Sequence, residues 1–144
     1  MVTTMTLKPK TYNILVAEDN PDDVFLIQLA LSDSNINGST VVVNNGKRII
    51  NYLKEIEDTK NKMPDLILLD INLPKVTGLE ALKQLKALPR AKEIPIVIFT
   101  SSDAISDMNY CYENGADLYF KKPNNISELK GIMRQIKEHC LTSP

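Results

Sequence analysis

Tryptophan is absent from this chain of 144 residues, which also holds only two cysteines and one histidine. The two cysteines, Cys111 and Cys140, are too few for a disulfide framework, so we expect free thiols that pack on helices. The histidine, His139, lies near the end of a predicted helix, where a solvated side chain complements the helix dipole. We therefore expect neither a thiol metal site nor a redox centre.

The chain also lacks an excess of either charge and a long apolar run. Its net charge is −1, which provides no basic surface for nucleic acid or for an anionic membrane. No apolar stretch approaches the roughly 20 residues that a membrane helix needs, and the polar N-terminus lacks the apolar core of a signal peptide. We expect a cytoplasmic protein without nucleic-acid or membrane partners.

Composition predicts a single folded domain. The chain is 43% hydrophobic and 24% charged, close to the average of globular proteins, and it is long enough to bury a real core. We place this domain at residues 12–140, with a flexible N-terminal arm at 1–11 and a C-terminal tail at 141–144.

Short β-prone runs alternate with segments of helical spacing along the whole domain. The runs cover residues 14–17, 40–43, 66–69, 96–99 and 118–120. The helical segments follow them, and Asn20, Thr77 and Asn125 are residue types that cap such helix starts. Because runs such as 66–69 are continuously apolar, they are typical of strands covered on both faces. The pattern predicts an α/β fold, a doubly wound sheet of five parallel strands with five helices.

The fourth helical segment leaves two interpretations open. Ile105, Met108 and Tyr112 recur in it at helical spacing, and the segment ends at Gly115. The neighbouring residues 110–112 belong either to the core or to an exposed face for a partner. The sequence alone does not separate these alternatives.

Polar residues follow four of the five strands at the point where each strand ends. Glu18 and Asp19 follow the first strand, Asp70 the third, Thr100 the fourth, and Lys121-Lys122-Pro123 the fifth. In a doubly wound sheet the carboxyl ends of the strands lie at one edge, and ligands bind there. We expect these side chains to share one crevice.

This set of residues suits a metal ion and a phosphoryl group. Crowded carboxylates repel one another, and a bound Mg²⁺ ion, which prefers oxygen ligands, usually keeps such carboxylates ionised. Lys122 and Thr100 can donate hydrogen bonds to phosphoryl oxygens, and Asp70 can act as a carboxylate nucleophile. Singly, each residue is better explained as a turn former, a cap or a solvated charge; together, they indicate an aspartyl-phosphate site.

Four stretches carry a resemblance to a known family, namely Glu18-Asp19, residues 70–74 with Gly78, Thr100-Ser101 and Lys122-Pro123. They resemble the CheY-like receiver domains of stand-alone two-component response regulators, and the resemblance covers residues 12–139. It implies a flavodoxin-like sheet with strand order 2-1-3-4-5. It also implies that Asp70 accepts a phosphoryl group from a sensor histidine kinase.

The resemblance assigns a role to each site residue. It implies Mg²⁺ as the cofactor, bound by Asp70, by Asp19 directly, by Glu18 through water and by the backbone carbonyl of Asn72. Thr100 and Lys122 would contact the phosphoryl group, and Tyr119 would be the aromatic residue that turns inward when Thr100 engages it. The family's cis peptide bond would fall between Lys122 and Pro123.

The same resemblance implies the partners. The phosphorylated state would be read on the face of the fourth helix, fifth strand and fifth helix, by a downstream protein, a phosphotransfer partner or a second copy. Residues 19–23 and 72–75 also resemble the small regulators that pair with bacterial phytochrome kinases. The protein would not be an enzyme beyond its own phosphorylation and dephosphorylation.

Two other functions are compatible with parts of this pattern. A Mg²⁺-dependent phosphohydrolase also uses a strand-end aspartate, but it needs a second acid two residues later, and that residue here is Asn72. An adaptor that keeps the fold without phosphorylation is disfavoured by the intact acids, threonine and lysine.

Overall fold

The computed structural model describes residues 10–141. In chain order its elements are β1 (Tyr12–Ala17), α1 (Pro21–Asp33), β2 (Gly38–Val43), α2 (Gly46–Glu57), β3 (Leu66–Leu69), α3 (Gly78–Lys86), β4 (Ile96–Thr100), α4 (Ile105–Glu113), β5 (Leu118–Lys121) and α5 (Ile126–Cys140). A short 3₁₀ turn, Ala91–Glu93, precedes β4. The predicted arm and tail lie mostly outside the described residues.

All four strand pairs are parallel, and the strand order is β2-β1-β3-β4-β5. The predicted fold and strand order are confirmed. The register pairs Ala17, the last residue of β1, with Leu69, the last residue of β3, and it pairs Leu69 with Ile98 of β4, which continues to Thr100. Among the residues described, no helix is long and apolar enough to cross a membrane.

Side-chain caps explain where the first helix begins. The side chain of Asn20 accepts hydrogen bonds from the backbone nitrogens of Asp22 and Asp23 at 2.9 and 3.3 Å, and Pro21 occupies the first helical position. Thr77 and Asn125 cap α3 and α5 in the same way. The capping residues predicted from the sequence are confirmed.

The core forms two layers, one on each face of the sheet. Leu15 and Ala17 of β1 belong to the layer beneath α2, α3 and α4, while Ile14 and Val16 belong to the layer beneath α1 and α5. Successive strand residues therefore face opposite layers, and both layers are apolar. This arrangement is the physical reason for the continuously apolar runs in the sequence.

Helix α4 turns its apolar stripe to solvent. Ile105, Met108 and Tyr112 are 73%, 36% and 45% exposed, whereas Cys111 is fully buried. The exposed-face interpretation is therefore confirmed for Tyr112, and the core interpretation for Cys111. Burial raises the pKa of the Cys111 thiol to about 11, which leaves it protonated and unreactive near neutral pH.

The connection after α2 is fixed by one distant side chain. The Arg90 guanidinium donates hydrogen bonds to the carbonyl oxygens of Ile56, Thr59 and Asn61 at 3.0, 2.8 and 2.7 Å. The Glu57 carboxylate in turn accepts a 2.6 Å bond from the backbone nitrogen of Arg90. The polar segment after α2 is thus tied to the short stretch that follows α3.

Candidate metal and phosphoryl site

Backbone pairing fixes the strand ends that carry the site. The backbone nitrogen of Asp70 donates to the carbonyl oxygen of Ala17 at 3.1 Å, which continues the β1–β3 pairing by one residue. In the same way, the backbone nitrogen of Lys122 donates to the carbonyl oxygen of Thr100 at 2.7 Å. The first residues after β1, β3 and β5 therefore lie at one edge of the sheet.

Three acids meet at this edge. One carboxylate oxygen from each of Glu18, Asp19 and Asp70 lies within 4.8 Å of the other two. Glu18 and Asp70 are buried, with 2% and 4% exposure, while Asp19 is exposed. Such a set of carboxylate oxygens, partly open to water, fits a small hard cation such as Mg²⁺. The predicted juxtaposition of these acids is confirmed.

The acids line an open cavity of about 490 Å³. Its wall also contains Asn72, Ser101, Lys122 and Pro123. The cavity is thus lined by carboxylates on one side and by amide, hydroxyl and ammonium groups on the other. It has room for a phosphoryl group beside a metal ion.

Lys122 binds three carboxylates at once. Its ammonium donates to Glu18 Oε1 at 2.6 Å, Asp23 Oδ2 at 2.8 Å and Asp70 Oδ2 at 2.9 Å. Burial alone would lower the pKa of Lys122, but its hydrogen bonds to Asp23, Glu18 and Asp70 outweigh this effect and raise the pKa. Lys122 therefore remains charged and neutralises part of the acid cluster.

Opposing effects act on the pKa of the Glu18 carboxyl group, and the net result is a raised pKa. Burial raises its pKa, the hydrogen bond from Lys122 lowers it, and the negative charge of Asp70 raises it again. Its second oxygen accepts a 3.2 Å bond from the backbone nitrogen of Asn20. The carboxylate is therefore held in the site from two sides.

The loop after β3 orients the Asp70 carboxylate. Oδ1 of Asp70 accepts a 2.9 Å bond from the backbone nitrogen of Asn72, while Oδ2 accepts from Lys122. The loop closes where the backbone nitrogen of Gly78 donates to the carbonyl oxygen of Ile71 at 3.0 Å. A Cβ on Gly78 would collide with the Asp70 carbonyl oxygen and with Ile71 Cα. Only glycine fits where the backbone at position 78 lies this close to the backbone of Asp70 and Ile71.

Thr100 and Tyr119 lie behind the cavity. The fully buried Thr100 Oγ1 accepts 3.4 Å bonds from Asn72 Nδ2 and from the backbone nitrogen of Ser102. The Tyr119 ring is turned inward, with 8% exposure, and burial raises the pKa of its hydroxyl. Five of the predicted site residues line the cavity, namely Glu18, Asp19, Asp70, Asn72 and Lys122; Thr100 contacts Asn72, and Tyr119 is joined to Thr100 through the Ser102 backbone.

Two details differ from the sequence interpretation. Asp23, which is not among the predicted site residues, contacts Lys122; the spacing within α1 gives no signal for this contact, because the two residues are 99 positions apart. The peptide bond between Lys122 and Pro123 is trans, so the expectation of a cis bond at this position is wrong. The small intrinsic difference between the two isomers before proline allows either form. The Lys121 ammonium contacts the exposed Asp103 carboxylate, with 3.2 Å between Nζ and Oδ2.

The sequence matches known proteins over most of its length. A family model described as the response regulator receiver domain matches residues 14–134. The chain is 35% identical over 128 residues to the probable methanogenesis regulatory protein FilR2 of Methanothrix harundinacea, covering 89% of this chain and 83% of that protein. It is 33% identical over 129 residues to the response regulator Rcp1 of Synechocystis, covering 89% and 88%.

Solved structures give the same result. The phosphorylated cyanobacterial phytochrome response regulator RcpA superposes with a TM-score of 0.82 at 35% identity, over 94% of this chain and 97% of that chain. The Mn²⁺-bound form of Rcp1 superposes with a TM-score of 0.79 at 32% identity, over 92% and 96%. One relative was thus crystallised phosphorylated and the other with a divalent cation.

Proposed function

The chain belongs to the response regulator receiver domain family, and we propose on this premise that it stores one phosphoryl group on Asp70. Receiver domains act in phosphorylation-based two-component signalling and partner with histidine kinases. The observation that carries the proposal is the orientation of Asp70. Its two oxygens are held by Asn72 and Lys122, beside the carboxylates of Glu18 and Asp19.

The residues present fit a divalent cation. Asp19 and Asp70 would hold Mg²⁺ directly through their carboxylates, Glu18 would bind it through water, and the backbone carbonyl of Asn72 would complete the protein ligands. When bound, the ion would neutralise the charge that gathers on the phosphoryl oxygens. The Mn²⁺-bound structure of the relative Rcp1 supports this assignment.

Asp70 would act as the nucleophile. One Asp70 oxygen forms a bond to the phosphorus of a phosphohistidine on the kinase, while the bond between phosphorus and the imidazole nitrogen breaks. The nitrogen keeps the electron pair of that bond. The ammonium of Lys122 and the hydroxyl of Thr100 donate hydrogen bonds to phosphoryl oxygens, so the protein contributes position and charge.

The signal would leave the site through Thr100 and Tyr119. The Ser102 backbone lies between them, since its nitrogen donates to Thr100 and its carbonyl oxygen accepts from Tyr119. Movement of Thr100 toward a phosphoryl group would therefore shift the loop before α4. We assign the read-out to the face of α4, β5 and α5, where Ile105 and Tyr112 are exposed. A downstream protein, a phosphotransfer partner or a second copy would bind there.

The kinase would be of the phytochrome type. This part of the proposal rests on the similarity to RcpA, a cyanobacterial phytochrome response regulator, along almost the whole chain. Because a histidine kinase takes its phosphoryl group from ATP of the cytoplasm, we place the protein in that compartment.

The protein would not turn over a separate substrate. A phosphohydrolase of this architecture needs a general acid two residues after the nucleophile, and Asn72 carries an amide that cannot supply a proton in this way. We therefore propose that water slowly removes the phosphoryl group from Asp70 and that no other hydrolysis occurs. Turnover of p-nitrophenyl phosphate that disappears in Asp70→Asn would contradict this part.

The test is phosphorylation of the purified protein. With acetyl phosphate and Mg²⁺ the wild type should gain one phosphoryl group by mass spectrometry, and beryllofluoride with Mg²⁺ should raise its melting temperature. Asp70→Asn should show neither effect. Equal melting of both proteins with beryllofluoride, together with no incorporation by the wild type, would favour an unphosphorylated adaptor.

A further inference from the structure

Asp23 differs from the other acids at Lys122. It reaches the ammonium at 2.8 Å from the first turn of α1, whereas Glu18 and Asp70 reach it from strand ends. The group of carboxylate oxygens close enough to share a metal ion contains Glu18, Asp19 and Asp70, and does not include Asp23. Asp23 also lines the cavity, but its carboxylate is not one of the candidate metal ligands.

The local structure holds Asp23 in this place. The Asn20 side chain accepts a hydrogen bond from the backbone nitrogen of Asp23, and Pro21 stiffens the turn in which they lie. The Asp23 side chain is 30% exposed, and the Lys122 side chain that it binds is 15% exposed. The pair is thus partly shielded from water, which strengthens a charge-assisted hydrogen bond.

Two of the three carboxylates that bind Lys122 would have a second role once the site is loaded. Asp70 Oδ2 and Glu18 Oε1 now accept from the ammonium, and these residues are also candidate metal ligands. A divalent cation bound there would repel an ammonium that competes for the same oxygens. Asp23 is the partner of Lys122 that has no such second role.

We propose that Asp23 is a positioning residue that retains the Lys122 ammonium beside Asp70 when metal and phosphoryl group occupy the site. The inference rests on the proposed function of Asp70 and goes beyond it by naming the residue that keeps the phosphoryl-binding lysine in place. The Asp23 carboxylate is not among the candidate metal ligands. It acts only through Lys122.

The direct test observes the ammonium without any phosphorylation. In protein with ¹⁵N-labelled lysine and saturating Mg²⁺, the NH₃⁺ signal of Lys122 is assigned by its loss in Lys122→Arg. An ammonium held by a partner that is partly shielded from water exchanges its protons slowly, so the wild type should show this signal. Asp23→Asn should lose it, and Asp23→Glu should regain it. The matched control is Asp22→Asn, which makes the same charge change on the same helical turn.

Phosphorylation supplies the second measurement. With acetyl phosphate and saturating Mg²⁺, Asp23→Asn should be labelled about tenfold more slowly than the wild type, because one charge-assisted hydrogen bond to the lysine is lost. Asp22→Asn should be labelled at the wild-type rate. The melting temperature of each variant without Mg²⁺ shows that all are folded.

Several results would overturn the inference. A Lys122 signal that persists with Mg²⁺ in Asp23→Asn would show that Asp23 is not what holds the ammonium, and so would a signal missing from the wild type. Equal effects of Asp22→Asn and Asp23→Asn would assign the change to the helix start. If instead Lys122 depends on Asp23 but wild-type Asp70 takes no phosphoryl group, the proposed function fails and the positioning role stands.

Discussion

The hydroxyl of Tyr119 donates a 2.8 Å hydrogen bond to the backbone carbonyl oxygen of Ser102, and this bond joins β5 to the loop that precedes α4. The Ser102 hydroxyl continues the connection, since it donates to Asp107 Oδ2 on α4 at 2.6 Å. A change at the carboxyl end of β4 therefore has a short path of polar contacts to the exposed face of α4.

Replacement of Tyr119 by phenylalanine should separate signalling from phosphorylation. The ring stays buried and only one hydrogen bond is lost, so the free energy of unfolding should fall by about 1 kcal/mol. Beryllofluoride should still raise the melting temperature, because Tyr119 does not line the cavity. Backbone amide shifts of α4 on addition of beryllofluoride should shrink relative to the wild type. If the α4 shifts are unchanged, Tyr119 does not transmit the change from the site to α4.

Gly78→Ala should destabilise the fold and the loop that orients Asp70. Its Cβ would collide with the backbone of Asp70 and Ile71, which cannot rotate away, so we expect a loss of more than about 3 kcal/mol in urea unfolding. Gly131→Ala is the matched control, because a Cβ there meets only Arg134 Nη2, at 3.8 Å. In helix α5 that change should stabilise by about 0.5–1 kcal/mol. Similar effects of both changes would argue against the close approach.

Arg90→Lys should weaken the hydrogen bonding that holds the segment after α2. The guanidinium donates from two nitrogens to several carbonyl oxygens, whereas a lysine ammonium is a single point donor that cannot span them. We expect a loss of about 2–3 kcal/mol in the free energy of unfolding and faster amide exchange at residues 57–62. Arg134→Lys on the exposed side of α5 makes the same chemical change and should have little effect. Equal stability of the two variants would contradict the anchoring role of Arg90.

The sequence predicted the elements whose pattern is local. Strand β3 has the predicted bounds, and the caps at Asn20 and Thr77 lie where expected, since each depends on neighbours within a few residues. Strand β2 begins two residues earlier than predicted, at Gly38, because backbone pairing with Tyr12 and Asn13 overrides the low strand propensity of glycine and serine.

Contacts between distant segments could not be predicted in the same way. The bond of Asp23 to Lys122 and the anchoring by Arg90 join residues whose separation carries no periodic signal. In α4 the apolar spacing of Ile105 and Met108 resembles that of a core-facing stripe, although both face solvent. Periodicity reports that one side of a helix is apolar, but it does not report what covers that side.

The raised pKa of Glu18 predicts a pH dependence of stability. Because Glu18 is buried, its carboxyl group has a higher pKa in the folded state than in the unfolded state. The free energy of unfolding therefore falls as pH rises from the pKa of the unfolded carboxyl group to the pKa of the folded one, since ionisation of Glu18 is less favourable in the folded state. Glu18→Gln removes this effect. Without Mg²⁺, the free energy of unfolding of Glu18→Gln minus that of the wild type should become more positive from acidic to neutral pH. A difference that is constant with pH, or that falls, would show that Lys122 offsets the burial completely.

Mg²⁺ should stabilise the protein through the acid cluster even in the absence of a phosphoryl donor. A ligand at about 100 times its dissociation constant stabilises the folded state by about 2.7 kcal/mol, so melting curves should shift upward with added Mg²⁺. Asp19→Asn should abolish most of the shift, because Asp19 supplies a carboxylate that no basic side chain neutralises in the part of the chain described, whereas Glu18 and Asp70 already face Lys122. Asp103→Asn, an exposed acid paired only with Lys121 there, should keep the full shift. An equal shift in wild type and Asp19→Asn would place the bound ion elsewhere on the surface.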